Sequence, residues 1–345
     1  MNGEAQVDFA VEEHRIVSSR PLFVVGCHRS GTTLLRRIVN VQPGVHVARE
    51  TGFLSELYTD DCHCETRSAV KTINSYLRAE RWQVLLEQAE VLRRFGETGD
   101  LVEIYRHVCM LEAKPGGTEL YWGDNTPHYV GLAPILYRHF PSSRFIHIVR
   151  DPRDVVASVI DLPFRANTPH LAALEWFARV ADWLVAERVI PDSQRLTLRY
   201  EDLVTQSEAE VARVFDFLEL PHVDPTAWRV GAGGDDEVAD LPHHFRLNTP
   251  IDASRVGRYR ERLSTAEIGC VEAVARQAML SFGYQPDTGY RMSPQLGDDV
   301  GLLIVESLRD GIVRARRKLR RFLLHASSRG RWQRSREPAG EDMSP

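Results

Sequence analysis

The stretch Pro21-Leu-Phe-Val-Val-Gly-Cys-His-Arg-Ser-Gly-Thr-Thr33 decides the interpretation of this 345-residue chain. Its apolar first half, which ends at Gly26, is typical of a buried strand that enters a tight turn. Residues 32 to 41 follow with leucine, isoleucine and valine at helical spacing. Successive backbone N–H groups and the positive end of a helix bind phosphate at such a junction. The stretch therefore predicts a phosphate-binding loop.

Donors for an anion are concentrated in this loop, and its glycines, Gly26 and Gly31, let the backbone approach a ligand closely. One guanidinium and three hydroxyl groups are available, from Arg29, Ser30, Thr32 and Thr33. The glycine spacing matches the nucleotide-triphosphatase pattern G-x-x-x-x-G-K-S/T, but Thr32 stands where that pattern has lysine. A triphosphate would lose its lysine contact, so the loop favours a different phosphate ligand.

The pattern along the chain alternates between strands at 144–149 and 195–200 and helices at 67–95, 152–160 and 171–189. Asp151 is a candidate helix cap because a proline follows it. Ser207 with Glu210, and Ser264 with Glu267, are capping-box signatures that open two later helices. Strands separated by helices predict an α/β fold of three layers, with a mostly parallel central sheet and helices on both faces.

Composition excludes several classes of protein. The chain has 43 basic and 48 acidic residues, a net charge of −5, which argues against a dedicated nucleic-acid binder. No apolar run approaches the ~20 residues of a membrane span, and residues 1–20 lack the apolar stretch of a secretory signal, so we expect a cytoplasmic protein. Five cysteines indicate reduced thiols. Cys62-His63-Cys64 lacks zinc-ligand spacing and a second cluster, so we expect a polar loop there and no metal site.

Charge and composition divide the chain into four predicted regions. These are an N-terminal extension at 1–20, a main domain at 21–290, a basic amphipathic helix at 300–325 and a disordered tail at 326–345. Apolar residues spaced three and four apart form a seam on the predicted helix, among many arginines. This seam predicts packing on the main domain or on a second subunit, and contact with an anionic membrane is the alternative.

The loop with its strand resembles the first signature of the sulfotransferases that use 3′-phosphoadenosine 5′-phosphosulfate (PAPS). In that family the loop holds the 5′-phosphosulfate, which implies this role for residues 26–33. The segment Phe145-Ile-His-Ile-Val-Arg-Asp-Pro-Arg-Asp-Val-Val-Ala-Ser158 is similar to the second signature. The resemblance implies that Arg150 and Ser158 hold the 3′-phosphate. A salt-bridge or capping role for Arg150 is the alternative.

Two later segments extend the resemblance to residues 20–290. Residues 198–204 resemble the family segment whose tyrosine lies near the nucleotide, which implies this place for Tyr200. Residues 254–264 resemble the segment whose basic residue closes over the phosphates of the donor. Arg255 is our candidate for that role and Arg258 is the second choice, while an exposed basic helix start is the alternative.

A candidate catalytic base lies in Val47-Ala-Arg-Glu-Thr-Gly52. The segment is similar to a motif of the tyrosylprotein sulfotransferases whose glutamate is the base, which implies that Glu50 accepts the proton of the acceptor. A solvated loop glutamate is the alternative, and His128 is a reserve candidate. Arg29 and the loop donors would stabilise the leaving phosphate in an in-line displacement without a metal.

Two departures from the family pattern bear on the substrate. Asn125, in Trp122-Gly-Asp-Asn-Thr-Pro127, stands where the family often has a lysine near the transferred group, and Gly52 replaces an arginine that holds acidic peptides in the tyrosylprotein enzymes. We therefore expect a small-molecule, glycan or lipid acceptor. A P-loop nucleotide kinase and a catalytically silent nucleotide-binding relative are the alternative functions.

Overall fold

A computed structural model describes residues 20–80, 82–113, 120–160, 168–229, 251 and 253–289. The chain divides into two compact units, Met1–Arg291 and Met292–Pro345, and every described residue belongs to the first. The predicted helix at 300–325 and tail at 326–345 lie outside the described residues, as does all but the last residue of the extension at 1–20. The four predicted regions therefore stay predictions.

The described residues form two sheets. Their strands are β1 (Arg20–Gly26), β2 (Val45–Ala48), β3 (His63–Glu65), β4 (Thr98–Asp100), β5 (Tyr121–Asp124), β6 (Arg144–Val149) and β7 (Arg195–Arg199). Five of them make one sheet in the order β2-β5-β1-β6-β7, and each neighbouring pair in it is parallel. β3 and β4 form a separate antiparallel pair. The predicted mostly parallel sheet is confirmed.

Helices connect the strands. In chain order they are α1 (Thr32–Val39), α2 (Leu54–Leu57), α3 (Thr66–Ala79), α4 (Gln88–Phe95), α5 (Leu101–Met110), α6 (Ala133–His139), α7 (Pro152–Val159), α8 (Pro169–Ala186), α9 (Tyr200–Thr205), α10 (Ser207–Leu218), α11 (Pro225–Arg229), α12 (Tyr259–Arg262) and α13 (Thr265–Ser281). Short 3-10 helices span Pro127–Leu132 and Asp192–Gln194. None of the helices in the described part of the chain is long and apolar enough to cross a membrane.

Side chains of β1 alternate between two buried faces. Leu22 and Val24 pack in a cluster with residues of α1, α9 and α10, whereas Phe23 and Val25 pack with residues of α3, α5, α6 and α8. Successive side chains of a strand point to opposite faces of its sheet, so both faces of this sheet are covered by helices. A third cluster joins α7, α8 and α13. These clusters confirm the three-layer α/β prediction.

Two of the three predicted helix caps are present in the structure, and one is absent. The Asp151 side chain accepts from the backbone N–H of Arg153, and Ser264 with Glu267 forms a complete capping box. The box predicted at Ser207 is absent, because α9 ends at Thr205 and Gln206 takes the N-cap position without a side-chain cap. A serine–glutamate spacing is therefore insufficient when the preceding helix leaves a one-residue link.

The segment around Cys62 differs from the predicted polar loop. Residues 63–65 form β3, and the buried Cys62 thiol lies 3.2 Å from Nε2 of His139. No group of histidine, cysteine and acidic side chains with the geometry to hold a metal ion occurs among the described residues. Cys62 is thus part of the apolar core that also includes residues of α6.

Candidate functional site

All five strands of the large sheet end at the same edge, where the predicted site residues follow. Residues at or next to the ends of neighbouring strands are paired. Gly26 of β1 lies beside Ile148 of β6, and Val149 of β6 lies beside Arg199 of β7. On the other side of the sheet, Ala48 of β2 lies beside Asp124 of β5. From β1 the chain goes first to the β2 side of the sheet and later, through β6, to the other side. Ligands of open parallel sheets bind outside the carboxyl ends of strands at such a reversal of direction. The fold therefore places the phosphate loop at the expected position of a ligand.

The phosphate loop leads directly into α1. Gly31 is the N-cap residue of α1, has a φ of 102°, and makes no side-chain cap. A Cβ atom at Gly31 would lie 2.7 Å from the Tyr200 ring, so this position requires glycine for both its conformation and its space. Arg29, two residues before Gly31, also has a positive φ, of 66°. Such backbone strain is concentrated at ligand sites, and the first N–H groups of α1 are suited to an anion.

Ser30 supplies the clearest sign that a ligand belongs here. Its side chain is fully buried, and its Oγ has no hydrogen-bond partner within the described part of the chain. Most buried side-chain polar atoms in proteins are hydrogen-bonded. An oxygen of a bound anion in the loop would satisfy this hydroxyl.

Arg150 joins several of the predicted nucleotide-binding residues. Its guanidinium donates from Nη1 to the carbonyl oxygen of Arg29 over 3.1 Å and from Nη2 to that of Arg255 over 2.7 Å. The guanidinium also lies 4.4 Å from the centre of the Tyr200 ring. Arg150 is only 5% exposed. A buried cation at the end of β6 thus fixes the phosphate loop and the segment around Arg255 to each other.

The helix after β6 reinforces this arrangement. Asp154 on α7 accepts from the backbone N–H of Gly257 and of Tyr259, over 2.8 and 2.9 Å. Burial raises the pKa of the Asp154 carboxyl, and the charge of Arg150, 3.9 Å away, opposes that shift. Ser158 lies one helical turn beyond Asp154 on the same face, and its Oγ donates to the Val155 carbonyl. Sequence reasoning missed Asp154.

Glu50 follows β2 and is half-buried. Its carbonyl oxygen accepts from the indole N–H of Trp82 over 3.2 Å, and the next N–H, of Thr51, donates to Oγ1 of Thr126 over 2.9 Å. The backbone around the candidate base is therefore fixed on both sides. One strand, β5, separates β2 from β1, which places their ends about 10 Å apart.

Asp124, at the end of β5, is a site residue that the sequence analysis missed. Its carboxylate is 1% exposed and accepts from the Thr51 hydroxyl and from the backbone N–H of Thr126. Burial raises the pKa of this carboxyl to about 6. The segment 122–127 was noted for Asn125 alone, because β5 is a four-residue strand with a weak pattern. The sequence signal for this site was an aspartate two residues before a threonine, because such an aspartate can accept the threonine N–H at a strand end.

Asn125 and two histidines lie at the same edge of the sheet, near the phosphate loop and Asp124. Asn125 is 2% exposed, and its Oδ1 has no partner among the described residues. The rings of His28, in the phosphate loop, and His128, in the 3-10 helix after Asn125, stack with centroids 5.7 Å apart. The reserve base His128 thus lies beside the loop that would bind the transferred group.

Comparisons with known proteins agree with this geometry. A model of the "Sulfotransferase family" matches residues 21–225. Protein-tyrosine sulfotransferase A of Caenorhabditis elegans is 25% identical over 254 residues, which cover 70% of this chain and 57% of the relative. Protein-tyrosine sulfotransferase 2 of Gallus gallus is 26% identical over 226 residues, 63% of this chain and 56% of the relative. The matches thus span little more than half the length of these relatives.

The fold also matches a solved structure. The sulfotransferase domain from the Synechococcus PCC 7002 olefin synthase superposes with a TM-score of 0.58 at 22% identity, over 78% of this chain and 96% of that domain. That likeness confirms the fold, and the family model covers residues 21–225 of the 345. The protein belongs to the sulfotransferase family.

Proposed function

We propose that this protein transfers a sulfo group from PAPS to a hydroxyl or amine of its acceptor. The observation that carries the proposal is the arrangement of groups at one sheet edge. The phosphate loop contains the buried Ser30 hydroxyl, which has no partner among the described residues. Arg150 lies at the neighbouring strand end, and Glu50 lies on the opposite side of the loop. Two sites for anions and one carboxylate match a donor with two phosphate positions and an acceptor that loses a proton.

The residues present fit the donor. The uncapped start of α1 and the Ser30 hydroxyl suit the 5′-phosphosulfate, and the Arg150 guanidinium suits the 3′-phosphate. The Tyr200 ring, which packs on both Gly31 and Arg150, forms the floor between these two positions. The assignment of the full set stays a prediction: Arg29, Ser30, Gly31, Thr32, Thr33, Arg150, Ser158, Tyr200 and Arg255.

The donor supplies an activated bond between sulfur and the 5′-phosphate oxygen. In the proposed reaction the acceptor oxygen or nitrogen bonds to sulfur, that bond breaks, the electron pair stays on the phosphate oxygen, and Glu50 takes the proton. The N–H groups of α1 and the Arg29 guanidinium stabilise the charge on the leaving oxygen. Asn125 is neutral, so the positive charge at the leaving oxygen has to come from an arginine, and Arg29 is our candidate.

The acceptor is the least constrained part of the proposal. The two relatives described above are named protein-tyrosine sulfotransferases, which makes a tyrosyl hydroxyl one candidate. We favour a small molecule, glycan or lipid, because Gly52 has a φ of 70° and a Cβ atom there would lie 2.9 Å from the Tyr76 ring. An arginine at this position, as in enzymes that hold acidic peptides, would displace Tyr76. The cytoplasmic location, and the membrane or dimer contact through 300–325, also stay proposals.

A labelling experiment tests the function. The purified protein is incubated with PAPS carrying radioactive sulfate and, separately, with a small-molecule extract, a lipid extract, a glycan fraction and an acidic tyrosine peptide. We expect label in one of the first three, and loss of that label with Glu50→Gln. Label in the peptide alone would overturn the acceptor class and leave the transferase intact.

Calorimetry with adenosine 3′,5′-bisphosphate and with Mg-ATP separates the competing functions. Binding of the bisphosphate without magnesium supports the proposal. Binding of Mg-ATP with no affinity for the bisphosphate would instead indicate a nucleotide kinase. Bisphosphate binding with no label in any acceptor pool would indicate a catalytically silent relative.

A further inference from the structure

Asp124 directly precedes Asn125 and is hydrogen-bonded to the segment that carries Glu50. Its Oδ2 accepts from the Thr51 hydroxyl, and its Oδ1 accepts from the backbone N–H of Thr126. Thr51 directly follows Glu50 and lies 73 residues from Asp124 in the chain. With 1% of its surface exposed, the carboxylate has no access to solvent and depends on these donors.

The hydrogen bonds around Asp124 have a fixed direction. The backbone N–H of Leu54 donates to the Tyr129 hydroxyl over 2.9 Å, and that hydroxyl lies 3.0 Å from Oγ1 of Thr51. With Asp124 ionised, its Oδ2 can only accept, so the Thr51 proton points to Asp124 and the Tyr129 proton points to Thr51. These directions match an ionised Asp124 carboxyl.

The same carboxylate holds the backbone after Glu50. Oγ1 of Thr126 accepts from the N–H groups of Thr51 and Gly52, over 2.9 and 3.3 Å, while the Thr126 hydroxyl interacts with Asp124. Both peptide groups after Glu50 are thus fixed through Thr126 to the end of β5. Their position relative to Asn125, which is adjacent in sequence to Asp124 and Thr126, is fixed at the same time.

We propose that ionised Asp124 is a positioning residue, which holds the Glu50 backbone where that carboxylate can take the proton of the acceptor. The proposal rests on the proposed sulfotransferase function and deepens it. Protonation of Asp124 puts a proton on Oδ1 or Oδ2, both of which accept in the ionised form, so the contact of that oxygen with Thr51 or with Thr126 is weakened. Mild acid then releases the Glu50 segment without unfolding the protein.

The surroundings of Asp124 set the pH range in which its carboxylate becomes protonated. The titratable groups that face it are Tyr105 and Cys109 from α5 and Tyr129 from the 3-10 helix, and burial raises the pKa of each. These groups stay neutral in mild acid. Burial raises the pKa of Asp124 itself to about 6, against about 3.9 in an unfolded chain.

As the pH falls, the raised pKa of Asp124 increases its contribution to stability but lowers turnover. The folded state binds the Asp124 proton more tightly than the unfolded state, so the contribution of this group to stability increases as the pH falls from about 6 towards about 4. Turnover falls over the same range, because the Glu50 segment is released. If Asp124 were merely structural, its replacement would leave the pH dependence of turnover unchanged, because protonation of the Glu50 base would be its only cause.

Hydrogen exchange tests the positioning without any acceptor. Wild type and Asp124→Asn are compared at pH 5 and pH 7.5, with Glu201→Gln as the control, since Glu201 is another buried acid, bound to the Asp151 N–H and the Tyr284 hydroxyl. At pH 7.5 we expect the amides of residues 51–54 to exchange about 10- to 100-fold faster in Asp124→Asn, with those of α13 unchanged. The control should leave residues 51–54 protected.

A second pair of variants keeps the carboxylate in place. Thr51→Val removes the hydroxyl that reaches Asp124, and Thr51→Ser restores it. We expect faster exchange of residues 51–54 in Thr51→Val and near-normal exchange in Thr51→Ser. Unchanged exchange in both Asp124→Asn and Thr51→Val would overturn the inference, while leaving the sulfotransferase proposal standing.

Turnover with PAPS and the acceptor identified by labelling tests the catalytic consequence. We expect kcat of Asp124→Asn to fall about 10- to 100-fold with little change in KM for PAPS, and its further decline in mild acid to be shallower than that of the wild type, because protonation of the Glu50 base is then its remaining cause. Faster exchange combined with a wild-type kcat profile would show a structural role and overturn the proposal. Failure of the wild type to label any acceptor would reject the sulfotransferase function, separately from the exchange result.

Discussion

The two sides of the sheet edge are built in different ways. The nucleotide side consists of the phosphate loop at residues 26–33 with Arg150, Tyr200 and Arg255, and the acceptor side consists of residues 50–52 with residues 124–126. The nucleotide side leaves a buried hydroxyl, that of Ser30, without a partner in the described chain. On the acceptor side the buried carboxylate of Asp124 and the hydroxyls around it bond to one another.

This difference indicates how each side works. An unsatisfied buried donor beside an uncapped helix start is costly unless a ligand pairs with it, so the nucleotide side is completed by its ligand. The satisfied network around Asp124 is rigid and holds residues 51, 52 and 124 without a ligand, whereas the buried Oδ1 of the adjacent Asn125 has no partner among the described residues. The following four predictions test this contrast, in order of decreasing effect.

The largest effect is expected on the acceptor side, from Glu50→Gln. The variant keeps the size and hydrogen bonding of the side chain but removes the proton acceptor, so kcat should fall about 10²–10⁴-fold. Affinity for adenosine 3′,5′-bisphosphate should stay the same by calorimetry. Glu97→Gln, at an exposed glutamate paired with Arg67, is the control. Near-normal turnover of Glu50→Gln would make Glu50 an ordinary loop residue and shift attention to His128.

On the nucleotide side, Arg150→Ala should weaken binding of adenosine 3′,5′-bisphosphate by about 1.5–3 kcal/mol, because a charged contact is lost. Binding of adenosine 5′-phosphate should weaken less. Since Arg150 also holds the Arg29 and Arg255 carbonyls, Arg150→Lys is the companion variant that keeps the charge. Titration calorimetry with both ligands measures the effect. Equal weakening for the two nucleotides would assign Arg150 to loop structure alone.

Gly52→Ala probes how tightly the acceptor side is packed. Gly52 and Gly283 both have positive φ, of 70° and 78°, but an added Cβ would lie 2.9 Å from the Tyr76 ring at Gly52 and 3.9 Å from its nearest neighbour at Gly283. We expect Gly52→Ala to lower the free energy of unfolding by about 1 kcal/mol more than Gly283→Ala, from the added overlap. Urea unfolding measures both. Equal losses would show that Tyr76 moves freely, which would weaken the argument against an acidic-peptide acceptor.

The smallest effect is expected from Ser30→Ala. Ser30 and Ser143 are both fully buried serines whose hydroxyls lack a partner in the described residues. Neither alanine variant should lower stability much, because no hydrogen bond is lost. Ser30→Ala should weaken bisphosphate binding by about 0.5–1.5 kcal/mol, and Ser143→Ala should leave it unchanged. Thermal unfolding and calorimetry separate the two quantities. Equal affinities for the two variants would mean that the Ser30 hydroxyl does not meet the ligand.

The sequence was sufficient to predict the nucleotide side of the fold. The first strand, its loop and α1 are contiguous, and the β6–α7 junction carries its cap and proline within two residues, so short-range signals were complete. The acceptor side was predicted in part. Glu50 was identified from its resemblance to a family motif, whereas β2 and β5 were missed because each has four residues and little periodicity.

Long-range pairing explains what could not be predicted. The contact of Thr51 with Asp124 joins residues 73 apart, and that of Arg150 with the Arg29 carbonyl joins residues 121 apart. Both contacts depend on the strand order β2-β5-β1-β6-β7, which no local pattern specifies. Asp124 could not be distinguished from an ordinary loop aspartate until the neighbouring strand placed Thr51 against it.

By itself, the sequence determined the α/β class, and it predicted the phosphate loop and the residues proposed to face an anion, because these depend on neighbours within a few positions. Only the tertiary structure decided that Asp124 is buried, that its pKa is raised to about 6, and that it fixes the backbone of Glu50. Burial and hydrogen-bond direction are properties of packed strands, since removal of water and orientation of donors occur only when distant segments meet.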